Sequence, residues 1–192
     1  PPLSLVPQRD DGAEPSTGAR TEPFAWPSPP FASYPAPVCQ LSPEVCEIEG
    51  LNGTVTRVRL TSIDPVAGVA QVQTANARTT MPLRFSQFRR LALSTPLEPV
   101  AYSAGATDSA VLAARPATPY RVRMKAGPDA VGQTIGHLEN EFGLFLFEPL
   151  DAKGSVRRVF VPKRVLESFE VGERIGEVLV QQKAATPAQV DQ

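Results

Sequence analysis

"GTVTRVRLTSIDPVAGVAQVQT", residues 53–74, carries the clearest structural signal in the chain. Val55, Val58 and Leu60 are interleaved with Arg57 and Arg59, the pattern of a half-buried strand with one slip or bulge. "IDPVAG" then reads as a turn. Asp64 can accept from the backbone ahead of it, Pro65 fixes φ, and Gly68 tolerates a positive φ. Val69, Ala70 and Val72 continue as a second strand. A strand, a tight turn and a strand make a β-hairpin, so the period of this region is that of a sheet.

The same texture extends outward. "MPLRFSQFRRLAL" predicts a strand, a helical turn around Ser86–Arg90 and a short strand. Residues 98–118 are small, polar and broken by prolines, a linker with a short helical piece at 108–115. Strands then resume as "YRVRMKA", "GQTIGHLENEFG", "LFLFEPL" and "SVRRVFV". "DAKG" joins the last two as a hairpin turn, with Gly154 as its flexible residue. "PKRVLES" predicts a helical turn and "FEV" a last strand. Gly53 aligns with Gly132, Gly68 with Gly143, and "FSQFRRLAL" with "VPKRVLESFEV", which suggests a duplicated unit of about 50 residues. Two unrelated β stretches are the alternative. The expected fold is mainly β (α+β), with two small bent-sheet or barrel-like units in tandem at 44–97 and 119–172.

Composition frames these units. Eleven of the 21 prolines fall in residues 1–43, where aliphatic residues are scarce, so this stretch is expected to be a disordered leader. It holds Phe24, Trp26, Phe31 and Tyr34 among prolines. These aromatics read either as part of a solvated tail or as anchors for a groove, on a partner or on their own domain. The leader lacks the charged start and apolar run of a signal peptide. No apolar stretch reaches the roughly 20 residues that span a bilayer.

The formal net charge of −1 argues against nucleic acid as a general partner. Cys39 and Cys46 read as reduced thiols of a cytosolic protein, with one disulfide as the alternative. His137 is the only histidine, which rules out a metal site built on several histidines. It reads as a hydrogen-bonded structural residue. None of the four lysines precedes Ser or Thr, so the chain contains no phosphate-binding P-loop. Carboxylates in "HLENEF" and "EVCEIE" have no positioned base or nucleophile beside them. No catalytic, metal or cofactor residue is assigned.

Basic residues gather twice, at Arg84, Arg89 and Arg90, and at Arg157, Arg158, Lys163 and Arg164. Interleaved with Phe85, Phe88 and Phe160, the arginines make a candidate interaction surface able to bind phosphate or stack on bases. Solvated strand and turn faces are the other reading. "RFSQFRR" is similar to the RxxxR half of a PilZ cyclic-di-GMP domain, but the Asp/Asn-x-Ser-x-x-Gly half has no counterpart downstream.

The end of the chain, "RIGEVLVQQKAATPAQVDQ" at 174–192, has a different period. Ile175, Val178 and Leu179 lie on one helical face. Thr186, Pro187 and Gln189 announce a second helix with a capping box, whose apolar face would need partners beyond Gln192. The stretch 173–192 is therefore expected to be the truncated start of a helical domain.

This stretch resembles the opening of the helical N-terminal domain of GspE/PulE-type ATPases, the hexameric motors of type II secretion and type IV pilus assembly. Arg174, Ile175 and Gly176 match an Arg-Leu-Gly opening, Val178, Leu179 and Val180 an aliphatic run, and Thr186, Pro187, Gln189 and Val190 the second helix start. The match covers about a tenth of the chain. The β-rich lines "PLRFSQFRRL" and "GLFLFEP" also look like N-terminal extensions of longer members. The resemblance implies a non-catalytic docking or regulatory region, cytoplasmic or peripheral at the inner membrane. Its partners would be the secretion or pilus platform proteins of that membrane. ATP and Mg²⁺ sites and the hexamer contacts would lie after Gln192. In the subset of the family that binds cyclic di-GMP, the resemblance would place ligand contacts at Arg174, Ile175, Gly176 and Leu179. Lys183 stands where the family usually has Gly, a residue that belongs to the ligand-binding motif of that subset. The alternatives are a stand-alone β-barrel module for nucleic acid or a cyclic dinucleotide, and an interaction domain acting through the Trp26 region.

Overall fold

The computed structural model describes residues 23–74, 77, 79–100 and 115–172, and the described residues contain strands and no helix. Two short strands come first, β1 (Ala25–Trp26) and β2 (Val38–Cys39). The next five are β3 (Glu44–Gly50), β4 (Val55–Asp64), β5 (Val69–Gln73), β6 (Met81–Arg84) and β7 (Phe88–Leu93). After the linker come β8 (Thr118–Met124), β9 (Ala130–Thr134) and β10 (His137–Glu139). The last three are β11 (Gly143–Pro149), β12 (Val156–Pro162) and β13 (Leu166–Val171). The fold is mainly β, as the alternation predicts, and no barrel closes.

The strands do not sort into one unit per half. An eight-stranded sheet runs β10-β11-β12-β7-β3-β4-β5-β6, and a three-stranded sheet runs β13-β8-β9. β12 pairs with β7 through Val159↔Ala92 and Phe160↔Leu91, so strands expected in the second unit extend the sheet of the first. The reason lies in β7. Leu91, Ala92 and Leu93 are all buried, so this strand needs cover on both faces and neighbours on both edges. β3 supplies one edge and β12 the other. The proposed duplication is not reproduced either. Gly53 and Gly68 sit at turns with φ of +80° and +66°, whereas Gly132 and Gly143 lie within strands.

Consecutive rows across the eight-stranded sheet feed opposite faces. Phe145, Phe160, Leu91 and Ile48 are register partners in sequence, and all enter one core with Phe85, Phe88 and Trp26. The next row, Leu146, Val159 and Ala92, enters a second core against Tyr120, Val122 and Met124 of the three-stranded sheet. Each such aliphatic or aromatic side chain contributes about 1.5–3 kcal/mol when removed from water. That second row ends at Glu47, opposite Arg57. The apolar face becomes charged there, where the three-stranded sheet no longer covers it.

Two helical turns expected from sequence are instead tight turns. Gln87 N–H donates to the Arg84 carbonyl and Gln87 Oε1 accepts from Arg84 N–H, so the chain reverses and Phe88 already begins β7. Val165 N–H likewise donates to the Pro162 carbonyl, and β13 starts at Leu166. Apart from Arg115, the helical piece expected at 108–115 lies outside the described residues, as does the one from 173.

The segment 23–43 belongs to the folded body, which corrects the expectation of disorder across 1–43. Trp26 is 2% exposed. Its Nε1 donates to Gln40 Oε1 at 3.2 Å, and Gln40 Nε2 donates to the Leu60 carbonyl at 2.8 Å. Its ring meets Phe145 edge-on, 6.2 Å between centroids, and Phe24 at 5.5 Å. Tyr34 donates to the Gly154 carbonyl at 2.6 Å, with burial pushing its hydroxyl pKa up. Prolines keep this strap out of the sheet ladder, but buried aromatic rings offset the entropy of ordering it. Of the aromatics read as possible anchors, Trp26 and Tyr34 are thus buried against their own domain.

Both cysteines are free, Cys39 exposed and Cys46 buried. Burial, and secondly the charge of Glu44, push the Cys46 thiol up to about 12. The reactive species is the thiolate. Iodoacetamide at pH 8 should therefore modify one thiol per native chain and both after denaturation. Prompt labelling of both in the native chain would contradict the burial. Trp26→Ala should cost about 3–5 kcal/mol in urea unfolding. A loss below about 1 kcal/mol would show that the strap is not part of the core.

Candidate functional site

The most structured polar site grows out of the β11–β12 hairpin. Asp151 Oδ1 accepts from Lys153 N–H at 2.8 Å and Ser155 N–H at 3.0 Å, fixing the turn. The hydrogen bonds from Ser155 hold the Asp151 carboxyl below its usual range. This turn sets the register that places Glu148 opposite Arg157. Arg157 Nε and Nη2 both donate to Glu148 Oε2, at 3.2 and 3.0 Å. Arg90 of β7 donates to Glu148 Oε1 at 2.5 Å, and Tyr120 of β8 donates to the same oxygen at 2.6 Å. One carboxylate thus joins four strands, from both sheets.

Tyr120 reaches Glu148 because its cross-strand partner is Gly132. A Cβ there would lie 2.7 Å from the tyrosine oxygen, too close for any other residue without a shift. Burial first, then the bond to Glu148 and its charge, push the Tyr120 pKa up. The phenol therefore stays protonated and donating at physiological pH.

Arg89 and Arg90 are consecutive, and on a regular strand they would face opposite sides. The register shifts between Glu49↔Arg90 and Gly50↔Phe88, which leaves Arg89 as an extra residue. This bulge lets both arginines line the same cleft. Arg89 is 2% exposed, with Nη1 3.5 Å from Glu49 Oε1 and Nη2 donating to the Pro128 carbonyl. The Nε atoms of Arg89 and Arg90 are buried with no acceptor among the described residues.

The cleft encloses about 550 Å³ between these side chains and the Asp129–Gln133 edge of β9. Its lining carries Arg89, Arg90 and Arg157 against Glu49, Glu148 and Asp129, a balance of charge. It contains no Ser, Thr, Cys, His or Lys. Among the described residues, no three His, Cys, Asp or Glu side chains converge as metal ligands would. Chemically the site is a set of donors converging on one carboxylate.

The six arginines read as one basic surface are dispersed. Arg89, Arg90 and Arg157 meet in the cleft, paired to carboxylates. Arg158 donates to Glu44 at 3.0 Å and lies 5.9 Å from the Trp26 ring centroid; burial lowers its pKa from the usual arginine value and Glu44 partly offsets this. Arg84 and Arg164 are exposed near the β4–β5 turn. Arg84 pairs across the sheet with Val69, and Arg164 Nε lies 3.7 Å from where a Cβ of Gly68 would be. The interleaved Phe85, Phe88 and Phe160 are core residues, so they offer no stacking platform. Lys163 pairs with Glu139, and exposed His137 packs edgewise on Phe169 at 5.4 Å. Arg174, Ile175, Gly176 and Leu179 lie outside the described residues. Sequence reasoning passed over Glu148 and Tyr120. Counting outward from the "DAKG" turn would have paired residue 148 with 157 and marked a carboxylate closing an apolar strand.

Glu148→Gln leaves Arg90 and Arg157 without their shared counter-charge and should cost about 1–3 kcal/mol in urea unfolding. Tyr120→Phe, which removes one donor, should cost about 1 kcal/mol. Unchanged midpoints for both would remove Glu148 as the joint between the sheets.

Comparison with protein-family models, with curated proteins and with solved structures finds no match to the chain.

Proposed function

We propose that the chain is the non-catalytic docking and regulatory region of a secretion or pilus-assembly motor ATPase, with ATP hydrolysis residing after Gln192. The observation that carries the non-catalytic part is the Glu148 cluster. Its arginines and Tyr120 donate to partners inside the fold, and Glu148 is held by three of these donors. What remains for a partner is sheet surface. The motor itself is supported by the motif at 174–190, which resembles the helical N-terminal domain of such ATPases. No helix among the described residues is long and apolar enough to cross a membrane. On this reading the region works on the cytoplasmic side, recruited to inner-membrane platform proteins, and ATP, Mg²⁺ and hexamer contacts belong to later domains. Cyclic di-GMP would be a ligand only of the 174–179 motif.

The alternative, a stand-alone module for nucleic acid or a cyclic dinucleotide built on the six arginines, draws less support. Four of the six are paired with carboxylates.

Two measurements test the proposal. The reading frame beyond codon 192 should encode a GxxxxGK[ST] loop within several hundred codons. In biolayer interferometry the chain should capture the cytoplasmic domain of the platform protein encoded beside it, saturably and in the micromolar range. A stop codon shortly after 192 would sink the motor assignment, and absence of capture would sink docking by this region.

A further inference from the structure

Several exposed arginines lie outside these ion pairs, among them Arg121 and Arg123 of β8; Arg57 and Arg59 are the two that share a strand of the eight-stranded sheet. Arg57 and Arg59 alternate with buried Val58 and Leu60 along β4, so both project from the face opposite the aromatic core. Both are exposed, and neither has an ion pair or side-chain hydrogen bond among the described residues. Arg59 lies opposite Gln73 of β5, and Gln71 follows on the same face, adding amide groups to the guanidinium groups. Glu47 lies opposite Arg57, but its carboxylate is directed to Arg157 at 3.6 Å. This is the same face whose other end is covered by the three-stranded sheet. Past Ala92 no described residue of the three-stranded sheet continues that cover, and Arg57 and Arg59 are exposed.

We propose that the open face of β4 and β5 around Arg57 and Arg59 docks an acidic protein segment; this rests on the docking reading above and names the chemistry of the partner. The complementary charge is carboxylate, because two guanidinium groups face solvent with no carboxylate paired to them among the described residues. The spacing adds selectivity. Residues two apart on a strand are about 7 Å apart, so the fitting partner presents carboxylates at the same interval, as in Glu-x-Glu of an extended segment. Arginine and carboxylate can pair bidentately at each position. Nucleic acid fits less well, since neither β4 nor β5 carries an aromatic side chain to stack a base, and Phe85 and Phe88 point into the opposite core. The partner lies on the face and does not extend the sheet edge. Edge strand β6 carries Pro82 in the middle of its ladder, which removes a backbone donor that an added strand would need.

The full chain is titrated by fluorescence anisotropy with a labelled twelve-residue peptide of alternating Glu and Thr, beside its Gln-Thr counterpart and a twelve-nucleotide oligothymidine. The Glu peptide is expected to bind saturably and to weaken with added salt, while the Gln peptide does not bind. Arg57→Gln/Arg59→Gln should weaken binding about tenfold. Arg121→Gln/Arg123→Gln, the same charge change on the outer face of β8, should leave it unchanged. Equal losses in the two variants, no binding of the Glu peptide, or tighter binding of oligothymidine would each overturn the inference. Thermal unfolding checks the fold, and the single Arg57→Gln and Arg59→Gln variants decide the matter if the double variant unfolds. Platform capture separates the two readings. Undiminished capture by Arg57→Gln/Arg59→Gln overturns this site and leaves docking intact. No capture by the unmodified chain overturns docking, and the peptide titration still decides the site.

Discussion

The pairing of β7 with β12 is the constraint on which the rest of the molecule depends. It is short, with Ala92 opposite Val159 and Leu91 opposite Phe160. Yet it fuses the early and late strands into one eight-stranded sheet. Once that register is set, Phe145, Phe160, Leu91 and Ile48 fall into one core and Leu146, Val159 and Ala92 into the other. A slip of one residue would exchange these sets and place Arg90 and Arg157 among the aromatics. The same register brings Glu148, Arg157 and Arg90 within hydrogen-bonding reach, so the polar cluster follows from the apolar packing.

The charged groups divide by what that packing leaves uncovered. Where the three-stranded sheet lies over the eight-stranded one, arginines are enclosed and need partners, and Glu148 and Glu49 supply them. Enclosed pairs of this kind contribute little net stability, because desolvation offsets their attraction, but they penalise any arrangement that separates them. Where cover ends, Arg57 and Arg59 are exposed and make no ion pair among the described residues. One residue type therefore serves to fix the relation of two sheets and to present a surface, and local cover decides which.

Much of the strand content was legible in the sequence, because alternation and turn chemistry are local. The Asp64–Gly68 turn forms as read, with Asp64 Oδ1 accepting from Ala67 N–H at 2.9 Å. The "DAKG" turn closes the β11–β12 hairpin. Strand partners were less legible, since an apolar run such as "LAL" announces burial without naming the neighbour that provides it. That is why two units were expected where one shared sheet exists. The strap is hidden for a related reason. Proline content reads as disorder, while the decisive contacts, Trp26 with Phe145 and Gln40 with Leu60, come from distant residues. At the site, the arginines were visible but their roles were not. The bulge that turns Arg89 and Arg90 to one side depends on the register with β3, and Tyr120 gains its place only through Gly132 across the ladder.

The chain is made from its N-terminus, and this gives the β7–β12 seam a temporal meaning. β7 leaves the ribosome with β3 available on one side and nothing on the other. Its second neighbour follows roughly 70 residues later, about 3–14 s at ordinary rates of synthesis. During that interval a buried-type strand, "FRRLAL", stands with a bare hydrogen-bonding edge. Such an edge is a template for pairing with other chains. Nascent chains are thus most exposed to misassembly after the first half has been made and before residue 162 emerges.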